Sequence, residues 1–194
     1  MYIFTTQCFA SRVGGIESLI TNLVYSISIK HDVVVFADQH FYIQDQIFDF
    51  ENQDKFKTFR YGGIKFFRRY KKAKDIKLFI QNKKINAIFA DTWKSLELCI
   101  DEINKKKIPS ICLAHGNELL YHNEDRKKRI LQILNRTDKI VANSKYTAGL
   151  IQNIGVQENK VHIINPGAKD LRSLKKTNTY NIFGNPILLT LARL

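Results

Sequence analysis

Residues 139–167 read KIVANSKYTAGLIQNIGVQENKVHIINPG and hold one complete structural unit. The apolar run at 139–144 predicts a strand, and VHIINPG at 161–167 predicts a second one. Between the two strands, a helical pattern continues through Leu150 to Ile154. Two strands joined by a helix form a βαβ unit, in which both strands run parallel.

The same alternation of strands and helices extends back to the first residue. Predicted strands cover 1–6, 31–38, 56–61, 86–92 and 109–116, and predicted helices cover 15–29, 65–83, 93–106 and 124–135. The strands are almost continuously apolar, which is typical of a parallel sheet covered on both faces. The sequence therefore predicts a Rossmann-like, doubly wound α/β domain of about six or seven parallel strands, with helices on both faces.

The composition is that of a globular protein with an unusual excess of positive charge. The 194 residues include 31 Lys and Arg against 18 Asp and Glu, which gives a formal net charge of +13. Such an excess favours an anionic partner, either nucleic acid, acidic lipid or a phosphorylated substrate. We read no signal peptide at the amino terminus. The cysteines Cys8, Cys99 and Cys112 show no zinc or redox spacing, which fits a reducing cytoplasm.

Polar residues and glycines collect where the predicted strands end, and ligands of doubly wound sheets bind at that edge. Gly14-Gly15 opens the first helix, either as a plain tight turn or as a place where a backbone approaches an anionic ligand. His115-Gly116 follows a buried strand, so His115 is either structural or a substrate contact. No dinucleotide fingerprint or Walker motif occurs.

Two further motifs also allow either a structural role or a ligand contact. Asn143-Ser144 either caps the following helix or contacts a ligand. Asn165-Pro166-Gly167 is either a turn or part of the binding edge.

In their order along the chain, these motifs resemble the amino-terminal domain of family four retaining glycosyltransferases, which have the two-domain GT-B fold. The resemblance spans nearly all of residues 1–194, and IVANSKYTAGLIQNIGVQENKVHIINPGAKD is its most specific part. The final ILLTLARL resembles the strand that opens the second domain of that family. Two departures are Ala192, where glycine is usual, and Asn165-Pro166-Gly167, which replaces the commoner Pro-Asn-Gly order.

The resemblance implies transfer of a sugar, with retention of configuration, from a nucleotide-diphosphate donor to a glycan or lipid-linked acceptor in cell-envelope polysaccharide synthesis. It implies that His115 contacts the donor sugar or the charge that develops near the anomeric carbon. Arg193 would pair with the pyrophosphate. No metal or other cofactor is expected. The residues implied in donor or acceptor binding are Gly14, Gly15, Glu17, Gly116, Asn117, Asn143, Ser144, Gly167 and Arg193.

The resemblance also divides the chain. Residues 1–167 match the acceptor-side Rossmann-like domain, the polar and turn-rich 168–185 predict a linker, and 186–194 resemble the first strand of a truncated donor-binding domain. Because one strand cannot supply a donor pocket, we expect this chain alone to transfer no sugar.

The predicted helix at 65–83 is strongly basic and carries interleaved aromatic residues. A helix of this kind can lie on an anionic bilayer, as a peripheral attachment to the inner face of the cell membrane. The candidate membrane residues are Lys65, Phe66, Phe67, Arg68, Arg69, Tyr70, Lys71 and Lys72. The alternative is a helix that buries Ile76, Phe79 and Ile80 in the core while its lysines are merely solvated.

The charge alone also fits two other classes of function. One is a basic Rossmann module that binds nucleic acid, and the other is a non-catalytic fragment that binds an acceptor or a partner. The ordered motifs favour the enzyme, and no RNA- or DNA-binding signature occurs. We therefore expect a nucleotide-sugar donor and an acceptor as partners, with no nucleic acid.

Overall fold

The computed structural model describes residues 1–167 and 183–186. Its strands are Tyr2–Thr6 (β1), Val33–Asp38 (β2), Lys57–Tyr61 (β3), Ala87–Ala90 (β4), Ser110–Ala114 (β5), Lys139–Ala142 (β6) and Val161–Ile163 (β7). Its α-helices are Gly15–Ser28 (α1), Tyr42–Glu51 (α2), Lys65–Asn82 (α3), Trp93–Leu96 (α4), Ile100–Lys105 (α5), Glu124–Arg136 (α6) and Lys145–Ile154 (α7). Short 3-10 helices span Asn117–Leu119 and Glu158–Lys160.

The seven strands form one parallel sheet in the order β3-β2-β1-β4-β5-β6-β7. Phe4 of β1 pairs with Val35 of β2 on one side and with Phe89 of β4 on the other. The predicted doubly wound parallel sheet is therefore confirmed, and every strand predicted within residues 1–167 is present. The predicted linker and second-domain strand fall almost entirely outside the described residues.

Apolar side chains on the two faces of the sheet form separate layers of core. On one face, Ile20 and Val24 of α1 pack over β1 and β2. On the other face, α3 to α7 cover the sheet, with Ile76 and Ile80 of α3 fully buried. No helix in the described ranges combines the length and the apolar content that crossing a bilayer requires.

Two helical segments differ from the sequence-based expectation. The predicted helix at 93–106 is divided into α4 and α5, because Cys99 has φ −127° and ψ −6° and leaves the helical path between them. Helix α2 was not predicted, although Ile43, Ile47 and Phe50 lie at helical spacing. The structure leaves these three residues 65%, 53% and 73% exposed and buries Asp45 fully, so the apolar stripe of this helix does not face the core.

The prediction that Lys72 belongs to the membrane surface is wrong, because this residue lies inside the protein. Its side chain is 5% exposed, and Nζ donates to Asp38 Oδ1 at 2.7 Å and to the Thr6 carbonyl oxygen at 2.8 Å. Arg68 Nε lies 3.1 Å from Asp38 Oδ2, and Arg69 Nη2 lies 2.6 Å from an oxygen of Glu97. These three cations therefore tie α3 to neighbouring elements, with Lys72 holding the carboxyl ends of β1 and β2.

We expect Lys72→Met to lower the free energy of unfolding by about 3 kcal/mol in urea denaturation. Removing one partner of a buried ion pair leaves the other charge uncompensated, at a cost of about 3–5 kcal/mol, and Arg68 partly compensates Asp38 here. Lys74→Met, at an exposed position of the same helix, is the matched control and should change stability by less than about 0.5 kcal/mol. A Lys72→Met loss no larger than that of Lys74→Met would contradict the structural role.

Candidate functional site

The sheet has a topological switch point between β1 and β4. The connection after β1 leads through α1 on one face, and the connection after β4 leads through α4 on the opposite face. Chains that leave neighbouring strands in opposite directions open a crevice at the carboxyl ends, where ligands of this fold bind. The loop at 7–14, the segment at 91–92 and His115 after β5 surround this crevice.

A buried carboxylate, Asp91, stands directly after β4 and fixes the loop that follows β1. Its Oδ2 atom accepts hydrogen bonds from the Thr6 hydroxyl at 2.9 Å and from the backbone N–H groups of Gln7 and Cys8 at 2.7 and 3.2 Å. Its Oδ1 atom accepts from the Ser95 hydroxyl at 2.6 Å. Four donors compensate this carboxylate for its lost hydration and hold the first wall of the crevice in place.

The ring of His115 is held by one backbone contact. Its Nε2 atom lies 3.0 Å from the carbonyl oxygen of Asp91. Because a carbonyl oxygen only accepts, Nε2 carries the proton and donates it. The Nδ1 atom has no hydrogen-bond partner among residues 1–167 and 183–186. In the neutral ring Nδ1 is therefore an acceptor available to a substrate hydroxyl.

The turn after β5 is fixed by Glu118, so that His115 is placed by its backbone as well as its ring. Oε1 of Glu118 accepts from the backbone N–H groups of His115 at 2.7 Å and Gly116 at 3.4 Å. Gly116 has φ +113°, a conformation that side chains disfavour, so the sharp turn requires glycine. The indole N–H of Trp93 donates to the Glu118 carbonyl oxygen at 2.9 Å and joins this turn to α4.

The glycine pair at the start of α1 has two different environments. A Cβ atom on Gly14 would lie 2.1 Å from Oε2 of Glu17, because the Glu17 side chain folds back over it. Glu17 is buried and pairs with Arg12 at 3.1 Å. Gly15 is exposed, and a Cβ atom there would meet no protein atom within 4 Å. The Glu17 carboxylate therefore occupies the space beside Gly14, whereas the space beside Gly15 is open.

Asn143 and Ser144 make local contacts at the start of α7. The Ser144 hydroxyl accepts from the backbone N–H of Thr147 at 3.1 Å and caps the helix. Asn143 Oδ1 accepts from the Thr147 hydroxyl at 2.6 Å, and Asn143 Nδ2 donates to the His115 carbonyl oxygen at 3.4 Å. Their capping and supporting roles are thus present in the fold, and ligand binding by them stays a prediction.

An apolar cavity of about 280 Å³ lies on the α1 face of the sheet and reaches the candidate site at one end. Its apolar walls are Leu19, Leu23, Phe89, Ile111, Leu113 and Val141. His115, Asn143 and Gly167 line it as well, so the structure brings three predicted site residues to one cavity. Because most of the cavity follows the middle of the strands, we assign only its polar end to the site.

The cysteine in the β1 loop is unsuited to nucleophilic catalysis. Burial, with the carboxylates of Asp91 and Glu17 beside it, raises the pKa of the Cys8 thiol to about 12. The thiol is therefore protonated near neutral pH, whereas the reactive species is the thiolate. Within the described parts of the chain, no group of three or more His, Cys, Asp or Glu residues is placed to hold a metal ion.

The remaining predicted positions are either exposed or undescribed. Asn117 is exposed in the 3-10 helix after His115, and Arg193 lies outside the described residues. Sequence analysis missed Asp91 and Glu118 as supports of the site. Asp91 directly follows a buried strand, which was the available signal, but its hydrogen-bond partners come from other parts of the fold. Glu118 lies four residues after β5 and holds the local backbone of His115 and Gly116.

Alanine substitutions at the two glycines of α1 should separate their roles in thermal or urea denaturation. We expect Gly14→Ala to lower the free energy of unfolding by about 1 kcal/mol, the low end of overpacking costs, because the buried Glu17 carboxylate that it displaces is the flexible end of its side chain. Gly15→Ala should leave stability unchanged or raise it by up to about 1 kcal/mol, since it restricts only the unfolded chain. The Gly14→Ala cost should largely vanish in a Glu17→Ala background. An equal cost in both backgrounds would remove Glu17 as the reason for Gly14.

The fold matches solved structures of sugar-nucleotide enzymes. The Anabaena Alr3699/HepE structure in complex with UDP-glucose is 13% identical with a TM-score of 0.66, and the match covers 87% of this chain and 44% of that one. The lipopolysaccharide outer core galactosyltransferase WaaB matches with 13% identity and a TM-score of 0.58, over 85% of this chain and 45% of WaaB.

UDP-GlcNAc 2-epimerase from Methanocaldococcus jannaschii shares the fold at 13% identity and a TM-score of 0.59, with 86% of this chain and 46% of the epimerase covered. The chain thus spans about half the length of these structures and corresponds to one half of the GT-B architecture. No curated protein matches it in sequence. The family model described as Glycosyltransferase Family 4 matches residues 13–170, and the chain belongs to that family.

Proposed function

We propose that this chain forms the acceptor-side half of a retaining glycosyltransferase. The enzyme would transfer a sugar from a nucleotide-diphosphate donor to a glycan or lipid-linked acceptor in the synthesis of cell-envelope polysaccharide. Membership of Glycosyltransferase Family 4 supports the reaction class, and HepE, whose structure contains UDP-glucose, supports the type of donor. Because the chain spans about half the length of such structures, we propose that transfer needs the remainder and that this half alone is inactive.

The observation that carries the proposal is the placement of His115. It stands at the end of β5, and its Nε2–H donates a hydrogen bond to the carbonyl oxygen of Asp91. Its Nδ1 atom has no hydrogen-bond partner in the described part of the chain. A ring fixed in this way can accept a hydrogen bond from a sugar hydroxyl without reorganising. A positioned polar contact of this kind contributes to transfer when it strengthens in the transition state.

The start of α1 supplies the second part of the proposed site. The first turn of a helix presents unpaired backbone N–H groups and the positive end of the helix dipole, which favour an anion. Gly15 is exposed there, with no protein atom close to the position of a Cβ atom. We assign this space to the phosphate groups of the donor, with no metal taking part in the reaction.

In the enzyme that includes its donor-binding half, we expect His115→Ala to lower turnover about a hundred- to a thousandfold. The loss of one positioned contact made in the transition state costs about 2.7–4 kcal/mol. Sugar transfer from labelled UDP-glucose would be the first assay, with thermal denaturation to establish folding. The isolated 194-residue chain should transfer no sugar in the same assay.

The matched control for that experiment is His31→Ala. His31 is exposed and precedes β2, so it lies at the edge of the sheet opposite the site. Its removal should leave turnover unchanged. Near-normal turnover of a folded His115→Ala enzyme would make His115 a structural residue and withdraw it from the mechanism.

We further propose that α3 attaches the protein peripherally to the inner, anionic face of the cell membrane. After the correction at Lys72, the exposed part of this surface contains Phe66, Phe67 and Tyr70, which are 61%, 67% and 53% exposed. Their rings contact one another, with Phe66 centroids 5.5 Å from Phe67 and 4.6 Å from Tyr70. Lys65 and Lys71 are exposed on the same helix and can meet acidic lipid headgroups.

We expect the double variant Phe66→Ser and Phe67→Ser to bind acidic vesicles at least tenfold more weakly at high salt. Burying about 100 Å² of apolar surface would contribute about 2.5 kcal/mol for each ring, a contribution that salt does not screen. Flotation with phosphatidylcholine vesicles, with and without phosphatidylserine, measures the binding. Ile29→Ser is the control, since Ile29 is 80% exposed at the opposite edge. A wild type that stays soluble with acidic vesicles at low salt, or leaves them for oligonucleotides, would contradict the membrane role.

A further inference from the structure

A second cavity, of about 100 Å³, opens beside the switch point on the face opposite α1. It is lined by the basic side chains of Lys65, Arg69, Lys94, Arg126 and Arg129. We call it the basic pocket. One buried water molecule needs about 10–15 Å³ of cavity volume, so the basic pocket has room for a group of several heavy atoms.

Positive charge in the basic pocket is not balanced from within. Glu97 is the one carboxylate among its lining residues, and it is shared by Arg69 Nη2 at 2.6 Å and Arg129 Nη2 at 2.6 Å. Lys65, Lys94 and Arg126 form no ion pair in the described part of the chain. Five cations around one carboxylate repel one another, and an anion placed among them would relieve that repulsion.

Lys94 and Arg126 both reflect the excess of positive charge in the basic pocket. Burial lowers the pKa of Lys94, and the positive charges of Arg126, Lys65 and Arg69 lower it further, more than the nearby carboxylate of Glu118 raises it. The Nε atom of Arg126 is buried and has no hydrogen-bond partner within the described ranges. A buried donor normally has a partner, either protein, water or a ligand.

We propose that the basic pocket binds a phosphate group of the acceptor. The excess of positive charge suits a phosphate dianion better than a single carboxylate, and arginine forks together with a lysine are the side chains that recognise phosphate. Assigning the phosphate to the acceptor rests on the proposed glycosyltransferase function. The binding of phosphate itself does not depend on it.

The location of the basic pocket supports an acceptor rather than the donor phosphates. Lys65 and Arg69 belong to α3, and Arg126 and Arg129 to α6, on the face of the sheet opposite the glycines of α1. Yet the pocket adjoins the candidate site, because the indole of its Trp93 donates to Glu118, which holds the turn at His115. A phosphate bound there would leave the rest of the acceptor beside the crevice.

Binding in the basic pocket can be followed by the intrinsic fluorescence of the protein. Trp93 is the single tryptophan of the sequence, and the Lys94 Nζ and Arg129 Cζ atoms lie 5.7 and 5.8 Å from its ring centroid. Titration with inorganic phosphate, at an ionic strength held constant with chloride, should change the fluorescence saturably. Equilibrium dialysis with labelled phosphate gives the affinity independently of the fluorophore.

We expect the double variant Lys94→Gln and Arg126→Gln to bind inorganic phosphate at least tenfold more weakly. Neither residue holds an ion pair of the fold, and Arg126 contributes one long hydrogen bond, from Nη2 to the Glu118 carbonyl oxygen at 3.4 Å, so thermal stability without phosphate should fall only slightly. The control double variant, Lys74→Gln and Lys128→Gln, removes the same charge from exposed positions of α3 and α6 and should bind like the wild type.

Two vesicle mixtures of equal surface charge identify the source of the phosphate. Phosphatidylcholine with phosphatidic acid presents a phosphate monoester, and phosphatidylcholine with phosphatidylserine does not. A preference for phosphatidic acid that the Lys94→Gln and Arg126→Gln variant loses would indicate a lipid acceptor. Equal binding of both mixtures, with soluble phosphate binding retained, would indicate a soluble phosphorylated acceptor.

The absence of saturable phosphate binding by the wild-type chain would overturn the basic pocket as a phosphate site. Equal losses in the two double variants would do so as well, because they would reduce the effect to net charge. Failure of sugar transfer in the enzyme, with phosphate binding intact, would instead overturn the proposed function alone.

Discussion

The buried carboxylate of Asp91 is the contact on which the candidate site depends. Its side chain accepts hydrogen bonds from the loop after β1 and from Ser95, and its backbone carbonyl oxygen accepts a hydrogen bond from His115 Nε2. One residue therefore connects the ends of β1, β4 and β5. Since a carboxylate buried without donors would be strongly unfavourable, this side chain keeps the surrounding backbone in a single arrangement.

Much of the fold could be predicted from sequence because its signals are local. Each strand is a short apolar run, and helices such as α6 carry apolar residues at helical spacing. Helix α2 is different, since its apolar stripe of Ile43, Ile47 and Phe50 is exposed and its fully buried residue, Asp45, is polar. Burial raises the pKa of Asp45, but hydrogen bonds from His40 and Ser11 and the charge of Arg60 outweigh it and leave the pKa below its usual value.

The places of the candidate site residues in the fold could be predicted from sequence, whereas their supporting contacts could not. His115 and the glycines of α1 stand beside strand ends, which the strand pattern locates. The partners of Lys72, in contrast, are 34 and 66 positions away in sequence, at Asp38 and Thr6. Nothing local distinguishes this buried lysine from Lys71 or from its other basic neighbours on α3, so interleaved charge alone suggested a uniform membrane surface.

The two sides of the switch point differ in how their polar groups are satisfied. Around Asp91 and Glu118, backbone and hydroxyl donors pair with carboxylate oxygens and hold the backbone beside His115 in place. In the basic pocket, cations outnumber carboxylates, and the buried Nε of Arg126 is left without a partner in the described chain. Unbalanced charge of this kind costs folding stability, whereas binding an anion recovers it. The matched side is therefore suited to holding His115 in place, and the unmatched side to contact with a charged substrate.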